Sequence, residues 1–363
     1  MWPLAMKPDH SKPPGNQMRR SSSTTGRFGA ALLIALPLNT AVFASTLEDT
    51  NRSTAMAEFA RDAVQDADGA SLDPDPALVE LGHMLFFDPR MSRSGSQSCA
   101  TCHNPALAWG DGLPVGVGDG MNNLGRRSPT ILNTAFAPLL FWDGRAESLE
   151  EHALGPIVSE AEMNMALEDL LHIMEGIVGY RPYFAAAFGG DESITTDRIA
   201  QAIAAFERTV ISGEAPFDRW IAGEEDAISE AAQRGFDLFT NEAKCSQCHD
   251  TWRFTDDSFH DIGLDTEDLG RGELLPSIES MQHACKTPTL RNIDQRAPYM
   301  HAGQIATLRD VVIHYNDGGI ARPSRSPDVG NLGLTDQDID DLVAFMRALT
   351  SEDEPVTIPV LPH

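Results

Sequence analysis

The chain has 363 residues, room for about two domains, and 42% of them are hydrophobic, so substantial cores can form. With 27 Lys and Arg against 54 Asp and Glu the formal net charge is −27, which argues against nucleic acid or anionic membrane as partners. Five cysteines in a chain this long do not make a disulfide framework.

Residues 1–44 read as a leader ending in a secretory signal peptide. Arg19, Arg20 and Arg27 precede an apolar run from Phe28 to Leu38, and Ala41-Val42-Phe43-Ala44 offers cleavage after Ala44. The run is too short for a stable membrane anchor, so the expectation is an exported, periplasmic protein with no membrane partner after cleavage. The leader carries five Lys/Arg and one Asp; 22 basic and 53 acidic residues remain, a surface suited to a basic soluble partner. Residues 45–70 read as a linker or docking arm, and 351–363 as an acidic, Pro-containing tail.

Between them the chain repeats itself. Leu81-Gly82-His83-Met84-Leu85-Phe86-Phe87 followed by Cys99-Ala100-Thr101-Cys102-His103 is echoed by Arg234-Gly235-Phe236-Asp237-Leu238-Phe239 followed by Cys245-Ser246-Gln247-Cys248-His249. Ser128-Pro129-Thr130-Ile131-Leu132-Asn133 and Phe141-Trp142-Asp143-Gly144-Arg145 are echoed by Thr287-Pro288-Thr289-Leu290-Arg291-Asn292 and by the stretch Tyr299 to Gln304. A tandem duplication is expected, with domains at 71–222 and 223–350. Ile199, Ile203, Phe206 and Val210 fall at helical spacing within 194–211; Ile339, Leu342, Val343 and Met346 do so within 334–349, with Thr335 as cap. Loops 110–128 and 255–288 are long enough to be functional or wrapped on something, and little β-structure is expected.

Cys-x-x-Cys-His is the attachment motif of c-type haem. The thiols form thioethers, and the adjacent His103 or His249 becomes the iron's proximal ligand. A zinc site built from Cys99, Cys102, Cys245 and Cys248 would leave both histidines without a role, so two covalently bound haem c groups are expected. Cys285 lacks the motif and reads as a small buried residue.

Electron-carrying haems usually hold two protein ligands, whereas reactive haems keep one face open. Setting Trp142 opposite Met300 and Leu149 opposite Leu308 puts Pro156 opposite Tyr315. Proline cannot ligate iron through its side chain and a phenolate can, so the first haem would be open and the second capped by Tyr315. Met300, His301 and His314 are rivals for that cap. Proton movement at the open face calls for a carboxylate in a poorly hydrated pocket; Glu162, six residues after Pro156, is the candidate, with Glu160 the alternative. His152, one turn before Pro156, is within reach of the same pocket.

With these residues in view, the chain from about Pro76 to Leu349 resembles the bacterial di-haem cytochrome c peroxidases and their methylamine-utilisation relative, MauG. Both haem motifs carry the resemblance, with Phe141-Trp142-Asp143-Gly144-Arg145, Leu154-Gly155-Pro156-Ile157, Glu162-Met163-Asn164, Phe206-Glu207-Arg208-Thr209, Phe259-His260 and Ala297-Pro298-Tyr299-Met300-His301. It implies a mostly α fold of two tandem cytochrome c-like haem domains with long loops, and Trp142 as electron relay between the irons. Classical members cap the first haem with a histidine, where this chain has Asp119, and the second with methionine, where it has Tyr315. Both departures resemble MauG, whose pocket glutamine is replaced here by His152. The family's calcium site uses an asparagine where Arg127 stands, so calcium is not expected.

The resulting expectation is an oxidoreductase that reduces hydrogen peroxide at the first haem, fed through the second by a small cytochrome or copper protein. In a MauG-like version the oxidising equivalents pass outward to a protein or small-molecule substrate. A non-enzymatic two-haem carrier would instead cap the first iron, for instance with Met121. A homodimer is left open.

Overall fold

The computed structural model describes residues 56–61 and 74–363; the leader and most of the 45–70 arm lie outside the described residues. The described chain is mostly helical. The two segments of helical periodicity form Thr196–Arg208 and Asp336–Arg347. Each starts where a threonine, Thr195 or Thr335, accepts a hydrogen bond from the backbone N–H three residues on, which satisfies a free donor of the first turn.

The duplication survives in three dimensions as a helix crossing made at a glycine. Helix Pro76–Phe87 packs on Thr196–Arg208, and helix Glu230–Thr240 packs on Asp336–Arg347. A β-carbon on Gly82 would fall 1.8 Å from the Ala202 carbonyl oxygen, and one on Gly235 would fall 2.0 Å from that of Asp341. Backbones this close leave no room for a side chain. Around these crossings lie two cores, one with Leu81, Phe86, Ile203 and Phe206, the other with Phe217, Phe236, Phe239 and Phe345.

The long loops are exchanged between the halves. The Arg127 N–H donates to the His301 oxygen at 2.8 Å, and the Lys286 N–H donates to the Trp142 oxygen at 2.8 Å. Pro114 lies over Gly303 as Phe259 and Arg271 lie over Gly144. This pairing corrects the register assumed from sequence. Phe141 and Met300 share a left-handed backbone (φ 68° and 70°), as do Gly144 and Gly303 (71° and 62°), so Trp142 corresponds to His301 rather than Met300. Pro156 and Tyr315 still correspond, because the offset carries through without a gap. The two-residue pair Phe259–His260 with Cys285–Lys286 is the only sheet among the described residues. Cys285 sits in it partly buried, and burial pushes its thiol up to about 12.

Both chain ends of the described region act as straps. Phe59, 1% exposed, stacks on Phe254 in the second core. The C-terminal segment runs back over the first half: Val356 and Leu361 join its core, and the Gly179 N–H donates to the His363 oxygen at 3.0 Å. No helix among the described residues is long and apolar enough to cross a membrane.

Candidate functional site

Each Cys-x-x-Cys-His opens into a cavity. The Nδ1 of His103 lies 3.0 Å from the Pro129 oxygen, and that of His249 lies 2.9 Å from the Phe254 oxygen. A carbonyl only accepts, so Nδ1 carries the proton and Nε2 is left as the metal-facing nitrogen. Burial pushes the Cys102 thiol up to about 11 and that of Cys245 up to about 12.

A second observation fits haem. Arg127 and Arg296 are buried side by side in the wall of the second cavity, and among the described residues no carboxylate forms an ion pair with either. The Nε of each has no hydrogen-bond partner. Arg127 spends its Nη1 on the Arg296 and Pro298 carbonyls, while burial and the charge of Arg127 pull Arg296 down to about 9. Two uncompensated buried cations call for an anionic guest, and a haem brings two propionates. Beside them, Arg126 already pairs with Asp143 and Asp268, at 2.7 and 2.6 Å.

In the first cavity Cys99, Cys102 and His103 face a wall that includes Phe141, His152, Pro156 and Glu162. Helix Leu149–Val158 starts on the Ser148 side chain and carries Pro156 in its last turn. Beyond it the chain doubles back: the Met163 N–H donates to the Pro156 oxygen at 3.1 Å and the Met165 N–H to the Ile157 oxygen at 2.8 Å. This brings Glu162 under the helix while Glu160 stays exposed. Burial holds the Glu162 carboxyl above its ordinary range, with Arg145 opposing. The other side of Glu162 is clamped by loop 116–121, where the Asp119 N–H donates to the Glu162 oxygen at 2.6 Å. A β-carbon on Gly118 would fall 1.9 Å from the Ala161 oxygen. Gly118→Ala should therefore displace Glu162 and cost about 1–3 kcal/mol, read as a lower Tm together with slower reaction with peroxide. Met121 is 81% exposed and does not line this cavity.

Sequence reasoning missed Glu207. It is 2% exposed, lines the first cavity, and is pushed up to about 8 by burial, with Arg208 opposing. The signal was present, since Glu207 lies four residues after Ile203 on the apolar face of its helix. Native Glu207 keeps its proton up to about 8, whereas the unfolded chain releases it near the ordinary 4.5. Stability is thus fully present below 4.5 and lost as pH rises from there to about 8. Glu207→Gln should melt higher than the parent at pH 8 and alike at pH 4, in paired thermal scans.

The second cavity holds Cys245, Cys248, His249, Met300 and Tyr315. Burial, followed by the neighbouring Cys248 and Cys245, raises the Tyr315 phenol, and Tyr315 lines the same cavity as the attachment motif. Two rivals have other partners. His314 Nε2 lies 2.9 Å from the Ile262 oxygen, and His301 Nε2 lies 3.4 Å from Gln304 Nε2, although His301 also lines the cavity. Met300 stays in the cavity wall. Trp142 lines both cavities and donates from Nε1 to the Arg127 oxygen at 2.9 Å.

Residues 76–226 match the family of di-haem cytochrome c peroxidases, and residues 232–350 match cytochrome c. The chain is 51% identical to the methylamine utilization protein MauG of Methylorubrum extorquens, over 79% of this chain and 82% of that one. It is 31% identical to the cytochrome c551 peroxidase of Pseudomonas aeruginosa, over 83% and 90%. Its fold is similar to that of a MauG-like protein associated with microbial copper homeostasis, with TM-score 0.73, 30% identity and coverage of 77% and 91%.

Proposed function

Because the chain belongs to the di-haem cytochrome c peroxidase family and so carries two covalently bound c-type haems, we propose that it is a periplasmic enzyme that takes up hydrogen peroxide at the haem of its first half. The observation that carries this reading is the pair Pro156 and Tyr315. They occupy the same place on equivalent helices, Leu149–Val158 and Leu308–Asp317, so the helix offers a ligand to one haem and none to the other.

Cys99, Cys102 and His103 would hold the first haem; Cys245, Cys248, His249 and Tyr315 would hold the second. When bound, these groups supply a site for peroxide and a store of electrons. The protein supplies the rest. Phe141 and Pro156 restrict water at the open face, and Glu162 takes the proton of the inner peroxide oxygen and returns it to the outer one. His152 would steady the outer oxygen. Trp142, in the wall of both cavities, would carry electrons between the halves.

Two destinations for the oxidising equivalents remain distinct. A small redox protein would make the enzyme a peroxidase; an oxidisable protein or small molecule would make it MauG-like. Tyr315 favours the second, because an anionic phenolate stabilises oxidised iron. The reading is tested by the spectrum of the oxidised holoprotein, which should show one high-spin and one low-spin haem. The high-spin centre should react with stoichiometric peroxide. Two low-spin haems indifferent to peroxide would reduce the protein to an electron carrier.

A further inference from the structure

The first cavity contains a polar pair of which the mechanism above uses only one member, His152. The Oε2 of Glu207 and the Nδ1 of His152 lie 3.9 Å apart, both buried, and neither has a hydrogen-bond partner. The two side chains come from different helices, Thr196–Arg208 and Leu149–Val158, which pack on each other. The His152 ring is held between Phe141, 4.5 Å away by ring centroids, and His103, 6.4 Å away. Its remaining nitrogen, Nε2, belongs to a residue in the wall of the first cavity. Leaving two complementary groups unpaired in one apolar wall costs more than pairing them, and closing the gap takes about 1 Å of side-chain movement. Catalytic hydrogen bonds are often long before the site is filled.

The protonation state of Glu207 suits such a bond. Burial holds the Glu207 carboxyl up at about 8. Near neutrality a carboxylic acid, with a proton to donate, thus faces Nδ1 of the imidazole. We propose that Glu207 is a positioning residue for the open haem face: it donates to Nδ1 of His152 and so fixes the tautomer that turns an Nε2–H donor toward the outer oxygen of bound peroxide. This rests on the open first haem proposed above.

Fluoride on the ferric holoprotein is the probe, because a bound fluoride accepts a hydrogen bond and needs no turnover. Glu207→Leu removes the donor and should weaken fluoride about tenfold, the worth of one hydrogen bond, and raise KM for peroxide. Glu207→Gln can still donate from its amide and should bind within about twofold of the parent. Circular dichroism and the second haem's spectrum should be unchanged in both. Parent-like fluoride affinity in Glu207→Leu would overturn the proposal, as would a Glu207→Gln as weak as Glu207→Leu. A low-spin first haem that turns high-spin in His152→Gln would assign Nε2 to the iron and overturn it too. A parent with no fluoride-binding centre at all would instead remove the open-haem reading beneath it.

Discussion

Glu162→Gln is expected to slow the reaction with peroxide by about 10²–10³-fold, within the range that one positioned acid–base group contributes. The substitution keeps the shape of the side chain and removes its ability to accept a proton. The surrounding geometry should hold, because Glu162 is fixed through its backbone, by the Asp119 N–H on its oxygen and by the turn that returns Met163 to Pro156. The pH dependence follows from the sign of its shift. Burial holds the carboxyl above its usual range, and only the ionised form can take the first proton. The parent's rate should therefore fall as pH drops through that raised value, and Glu162→Gln should lose this acid limb. Stopped-flow mixing of the oxidised protein with peroxide across pH measures both effects. A variant with the parent's rate would take Glu162 out of the mechanism.

Tyr315→Phe should have the second large effect, at the other end of the molecule. Removing the phenol takes away the candidate sixth ligand of the second haem, and with it a negative charge that stabilises the ferric state. Its spectrum should turn from low-spin to high-spin. Its midpoint potential should rise by on the order of 0.1 V, in keeping with the span over which axial ligands tune haem. Tyr315→Met should keep the haem six-coordinate and raise the potential as well. Potentiometric titration followed optically reads all three proteins. The first haem should bind peroxide as before, while the electron supply to it changes. An unchanged spectrum in Tyr315→Phe would pass the role to Met300 or His301, which share the cavity.

The two Cys-x-x-Cys-His motifs, the duplication, the helices around Ile203 and Leu342 and the Pro156–Tyr315 contrast were all legible in the sequence. Each is a local pattern: a spacing of three or four residues, or a repeat that survives because both halves solve the same packing problem. The wrapping of loops 110–128 and 255–288 was anticipated, but not that each crosses to the equivalent glycine of the other half. The correspondence of Trp142 with His301 needed the left-handed backbones of Phe141 and Met300, which side-chain identity does not encode. Glu207 needed the fold most. Its helix names the face it lies on, but only the packing of that helix against Leu149–Val158 sets it 3.9 Å from His152 and strips it of water. Linear spacing determines which groups the chain can present to a haem. Burial and the meeting of distant segments decide their protonation and their partners, because desolvation depends on everything that packs around a group.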